Sequence, residues 1–105
     1  MTDYCIITTT FPDNDSAKSA ARLLVGRKLV ACVQLLPINS VYSWQGEVCD
    51  ENEILLLIKT RAERFDEVAA AIKEIHTYSV PQIVQVPIVS GLAEYLSWIG
   101  ERTEK

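Results

Sequence analysis

The chain has 105 residues, enough for one domain and too few for two. Its composition, 49% hydrophobic and 23% charged with only four glycines and four prolines, excludes a disordered or collagen-like chain. A net charge of −4 leaves no surplus of cations to displace counterions from phosphates, which excludes nonspecific nucleic-acid binding.

Tyr4 to Thr10 is rich in β-branched and aromatic residues and reads as a first strand. Phe11-Pro12-Asp13-Asn14-Asp15 breaks it, with Asn14 or Asp15 expected to cap the helix that follows. Ala17, Ala20, Ala21 and Leu24 form one apolar stripe at helical spacing, and Gly26-Arg27-Lys28 closes that helix. Leu29 to Leu36 returns to a strand pattern, which Pro37 to Ser40 is expected to interrupt before Val41 to Trp44 resumes it. Gln45-Gly46 reads as a hairpin turn, because glycine takes the positive φ that such turns need. Glu47 to Lys59 is the returning strand.

Thr60-Arg61-Ala62-Glu63 matches a capping box ahead of a second helix with the stripe Phe65, Val68, Ala69, Ile72 and Ile75. His76 to Pro81 stops that helix, and Gln82 to Val89 is a fourth strand. Ser90 is the expected cap of a closing helix whose apolar positions are Leu92, Tyr95, Leu96 and Ile99, and Glu101 to Lys105 should fray. The order β-α-β-β-α-β plus a helix is the split βαβ, ferredoxin-like arrangement. The fold class is therefore α+β, a single domain over residues 1–105 with a long β2–β3 hairpin.

Side chains alternate between the faces of a strand. Ile54, Leu56 and Ile58 oppose Leu55 and Leu57; Ala31, Val33 and Leu35 oppose Cys32 and Leu36; Ile83 opposes Val84, Val86 and Ile88. Whichever set meets the helices, several large aliphatics remain on the other face. Leaving four or five of them in water forgoes about 6–15 kcal/mol, as much as the net stability of a typical domain. The closing helix covers part of this face. The rest requires a partner, and a second copy of the chain is the default. The Tyr42-to-Glu53 hairpin tip, too long for a compact domain, is an arm suited to reaching it.

No apolar run approaches the ~20 residues of a membrane span, and the start Met1-Thr2-Asp3-Tyr4 lacks a basic leader. Three cysteines (Cys5, Cys32 and Cys49), odd in number and without C-x-x-C spacing, point to free thiols in a reducing compartment. The expected location is the cytoplasm.

Phosphate-binding glycine motifs are absent, and the Thr10-to-Asp13 turn carries neither a glycine nor a cation for a phosphoryl group. RNA-stacking aromatics are missing from Ile54 to Ile58. Asp13-Asn14-Asp15 starts like a calcium loop, but Lys18 and Leu24 stand where glycine and glutamate are required. No nucleophile–base pair emerges: His76 is the one histidine, and its residue type and place suit a helix end as well as a ligand. Trp44, Tyr42, Tyr78 and Trp98 suit either a subunit interface or a cleft between subunits with Lys59 and Glu53 as its charged contacts.

Ala31-Cys32-Val33, Tyr42-Ser43-Trp44-Gln45-Gly46, Lys59-Thr60, His76-x-Tyr78-x-x-Pro81, Pro87, and Gly91 through Tyr95-Leu96-x-Trp98 together resemble the CutA family of divalent-cation tolerance proteins. The resemblance runs from about Cys5 to Trp98. It implies a ferredoxin-like protomer in a tight homotrimer, similar in architecture to the PII nitrogen-signalling proteins. It also implies a non-enzymatic role in the response to copper and other divalent cations, with Cu(II) binding in some members. Where some bacterial relatives carry a cysteine, this chain has Thr9; where they carry two adjacent histidines, it has Ile75 and His76. The one metal ligand it carries over is thus His76; Glu53 is the carboxylate added beside it here, a weak pair without a thiolate. No cofactor is required, and Cu(II) or another divalent cation is the candidate ligand. The second reading is a PII-like sensor of a small metabolite or anion, using a ligand cleft of Lys59, Trp44, Tyr42 and Tyr78. Neither reading calls for nucleic acid or membrane as a partner.

Overall fold

The computed structural model describes residues 3–104. The leader expected to be absent at Met1 and Thr2, and Lys105 at the other end, lie outside the described residues. The elements are β1 (Tyr4–Phe11), α1 (Asn14–Gly26), β2 (Cys32–Trp44), β3 (Glu47–Arg61), a 3-10 turn (Ala62–Arg64), α2 (Phe65–Ile75), β4 (Val84–Pro87) and α3 (Ala93–Arg102). The sheet runs β2-β3-β1-β4, with all neighbours antiparallel, and so realises the ferredoxin-like order. Ala17, Ala20 and Leu24 of α1 and Val68, Ala71 and Ile72 of α2 bury one face of the sheet, through Cys5, Ile7, Phe11, Ile54, Leu56 and Ile58. Among the described residues no helix is long and apolar enough to cross a membrane.

Several local expectations are corrected, each by a tertiary or geometric cause. Asp13, not Asn14 or Asp15, caps α1, its carboxylate accepting the Ser16 N–H at 2.8 Å. At the other end the left-handed residue is Lys28 (φ 60°), two positions after Gly26. Pro37 does not interrupt β2. That strand is an edge, so the missing proline N–H falls on the unpaired side, and Pro37 pairs in register with Ile54.

The capping box does not form. The Thr60 hydroxyl is committed to the Leu29 carbonyl at 2.7 Å, and the chain stays extended through Arg61. In α2, Ala71 takes a core position, while Ile75, in the last turn, is exposed. β4 is confined to four residues, and Leu92 rather than Ser90 stands at the start of α3, without a side-chain cap. The tail is anchored rather than frayed: Thr103 is fully buried, and Arg64 Nε and NH2 donate to its carbonyl at 3.2 and 3.1 Å.

α3 covers one end of the second face, where Arg61 NH2 donates to the Gly100 carbonyl at 2.7 Å. The approach is close: a Cβ on Gly100 would come within 2.9 Å of the Tyr4 hydroxyl, which would have to shift. Elsewhere this face stays open. Leu36, Val84 and Val86 are 49%, 48% and 44% exposed, and Leu55 and Leu57 are half-buried between them. Beyond the Pro37–Ile54 pair, β2 and β3 continue as an unsupported ribbon of roughly 20 Å to the Gln45–Gly46 turn. Both turn residues have positive φ (51° and 81°), the geometry that matches strand twist in a two-residue hairpin. A lone two-stranded ribbon is marginal in water, so the arm as well as the open face calls for a neighbour.

All three cysteines are free. Burial pushes the Cys5 thiol up to about 11 from 9.0. The thiolate is the nucleophile, so Cys5 in the native protein should resist iodoacetamide at pH 8 and react only after unfolding, as read by mass spectrometry. Labelling of native Cys5 at the rate of a free thiol would contradict its burial.

Candidate functional site

α2 ends where His76 leaves helical geometry (φ −79°, ψ 141°), its N–H still bonded to the Ile72 carbonyl at 3.0 Å. The ring folds back over β1 and stacks on Phe11, with centroids 4.3 Å apart and planes at 20°. Its Nε2 lies 2.7 Å from the Thr10 carbonyl, which can only accept, so Nε2 is assigned the proton. Nδ1 is then the acceptor, and takes the Tyr78 N–H at 3.1 Å. Two backbone bonds on opposite sides of the ring thus fix one neutral tautomer.

Tyr78 packs on His76 at 4.6 Å between centroids, and its hydroxyl donates to Glu53 Oε2 at 2.7 Å. Glu53 opposes Ile38 at the root of the ribbon, on the open face. Burial alone would raise its carboxyl. Hydrogen bonds from Ser40, Tyr78 and Thr10 more than offset this and hold it below its ordinary 4.5. Burial and the Glu53 carboxylate drive the Tyr78 phenol the other way, well above its usual range. Glu53 is therefore an anion and Tyr78 a neutral donor across the physiological range.

Two residues further out, Tyr42 donates to Glu51, and that bond raises its phenol to about 12. His76, Tyr78, Glu53 and Tyr42 thus gather at the junction of sheet and ribbon. Lys59 and Trp44 do not join them within the protomer. Lys59 donates to Gln34 near the opposite end of the open face, while Trp44 is at the hairpin tip, roughly 20 Å of strand beyond Glu53 and roughly 40 Å from Lys59. Trp98 stacks with Tyr95 on α3 at 5.7 Å, apart from this group.

Thr10, Phe11, Ser40 and Glu51 take part in the cluster and were not expected there. The Glu51 and Ser40 pairing was within reach of the sequence, because counting outward from the two-residue turn places them opposite each other. The Thr10 and Phe11 contacts had no local signal, since they depend on where α2 delivers His76.

An imidazole nitrogen and a carboxylate are a donor set suited to Cu(II) or Zn(II), and here both face Tyr78. Among the described residues no third histidine, cysteine, aspartate or glutamate completes a metal cluster. Thr9, at the position where some relatives carry a cysteine, is fully buried on the helix-covered face, its hydroxyl without a hydrogen-bond partner. The imidazole and the carboxylate are each held by a hydrogen bond, one to the Tyr78 backbone N–H and the other to its hydroxyl, and among the described residues they belong to no completed metal cluster.

Residues 5–102 match the family described as CutA1 divalent ion tolerance protein. The chain is 41% identical over 99 residues to the divalent-cation tolerance protein CutA of Thermus thermophilus, covering 93% of this chain and 96% of that protein. It is 36% identical over 99 residues to the chloroplastic protein CutA of Arabidopsis thaliana, covering 93% of this chain and 54% of that longer protein. The solved structure of the periplasmic divalent cation tolerance protein CutA from Archaeoglobus fulgidus superposes with a TM-score of 0.95 at 39% identity, covering 96% of this chain and 99% of the other. Sheet order, the long ribbon and a match across nearly the whole length agree: the chain belongs to the CutA1 divalent ion tolerance family.

Proposed function

We propose that the chain acts as a non-enzymatic, homotrimeric, cytoplasmic divalent-cation tolerance protein that takes Cu(II) or a similar cation weakly through His76 and Glu53. What supports the cation reading is the match to the divalent ion tolerance family together with an imidazole and a carboxylate at one junction of the fold, bonded to the two ends of Tyr78. The affinity is low for two reasons. The pair lacks a thiolate, and each donor is already engaged in a hydrogen bond that coordination would have to break. The half-exposed apolar face and the unsupported ribbon support assembly, and the family's homotrimer supplies its order. The three free cysteines support a reducing compartment.

Calorimetric titration of Cu(II) into the full chain and into His76→Ala tests the cation reading. Weak, saturable binding in the parent and its loss in the variant are expected. Equal binding by both proteins rejects His76 as a ligand.

A further inference from the structure

Four of the ten cations, Lys18, Arg22, Arg27 and Lys28, fall within residues 16–46, a stretch with no aspartate or glutamate. The rest of the chain sets six cations against fourteen carboxylates. All four are exposed, and among the described residues none forms an ion pair. The dipole at the C-terminal end of α1 favours Arg27 and Lys28. It does not account for Arg22, which is in mid-helix one turn after Lys18, a spacing at which like charges repel.

Arg22 also lines a groove. Between α1 and β2, the side chains of Ala21, Arg22, Val25 and Val33, with Gly26, surround about 350 Å³. The groove runs beside the edge of the sheet. β2 is paired to β3 on one side only, so among the described strands its outer N–H and C=O groups are unpaired. Pro37 lacks an N–H, so the part of β2 that can take a further strand beside the groove is residues 32–36. Lys28 lies four positions before Cys32, which places Arg27 and Lys28 at the start of the same edge.

We propose that the groove between α1 and the edge of β2 is a docking surface for an extended, acidic polypeptide segment of another protein. The segment adds to residues 32–36 as a fifth strand, seats an apolar side chain against Val25 and Val33, and sets its carboxylates against Arg22, Arg27 and Lys28. A lipid surface fits less well. Val25, 43% exposed, is the one large apolar side chain that α1 exposes, too little for a helix lying in a membrane interface. The groove is on the helix side of the sheet, so docking leaves the open apolar face to a second copy.

The test is fluorescence anisotropy of a labelled, alternating Glu-Val peptide titrated with the full chain, beside an alternating Lys-Val peptide, with co-sedimentation on phosphatidylglycerol vesicles as the lipid arm. The Glu-Val peptide should bind, more weakly as salt is raised, and neither the Lys-Val peptide nor the vesicles should. Arg22→Glu, a change on the exposed side of α1, should weaken the Glu-Val peptide roughly tenfold. Amide hydrogen exchange of residues 32–36 should slow when the peptide binds. Equal affinity for the parent and Arg22→Glu overturns the proposal, as does unchanged exchange at residues 32–36. Binding of the Lys-Val peptide as tight as that of Glu-Val, or binding of vesicles in place of the peptide, also overturns it. So does an edge already protected from exchange without peptide, which would mean that a second copy occupies it.

Discussion

Leu57→Asp should break the assembly into protomers near the 11.8 kDa of one chain, while the parent sediments as a trimer. Leu57 is at the centre of the open face, paired on one side with Thr8 of β1 and on the other with Gln34 of β2. In a lone protomer it is only half-buried, so an aspartate there keeps much of its hydration and disturbs the fold little. Under a second copy, the same carboxylate would be stripped of water with no cation provided for it, at a cost of several kcal/mol. Sedimentation velocity at micromolar concentration, with circular dichroism to confirm the fold, distinguishes the two states. A parent that runs as a monomer, or a variant that remains a trimer, would mean that this face is not the interface.

The second large effect is expected at Arg64. Arg64→Ala should cost about 3 kcal/mol and lower Tm by roughly 10 °C or more at matched protein concentration. The guanidinium is almost wholly buried. It donates through Nε and NH2 to the Thr103 carbonyl and through NH1 to Glu67 at 3.1 Å. Removing it leaves a buried carbonyl without those donors and a void between α2 and the end of α3. Arg64→Lys should fall between the two, because an ammonium keeps the charge but cannot reproduce the fork. A loss below about 1 kcal/mol for the alanine variant would show that the tail is held by packing alone.

The readings that held are those whose cause is short-range. β-branched and aromatic content placed β1, the return from the hairpin turn placed β3, the Ala17-to-Leu24 stripe placed the buried side of α1, and the positive φ of Gly46 placed the turn itself. From that turn, register follows by counting, and with it the division of β3 into Ile54, Leu56 and Ile58 against Leu55 and Leu57. Pro37 was misread because proline breaks a central strand but not the outer side of an edge. Nothing local says that β2 is an edge. The capping box at Thr60 fails because that hydroxyl, instead of accepting a backbone N–H of the next turn, points to the Leu29 carbonyl 31 positions away, to which it donates.

The amino-acid order alone determined that this chain folds as a split βαβ sheet with two greasy faces, because alternation and helical periodicity are properties of neighbouring residues. It also placed His76 and Glu53 among the candidates, by residue type. Only the tertiary structure decided that Tyr78 lies across both of them. The end of α2 sets where the imidazole lands, the ribbon root sets where the carboxylate lands, and no spacing along the chain encodes the distance between the two.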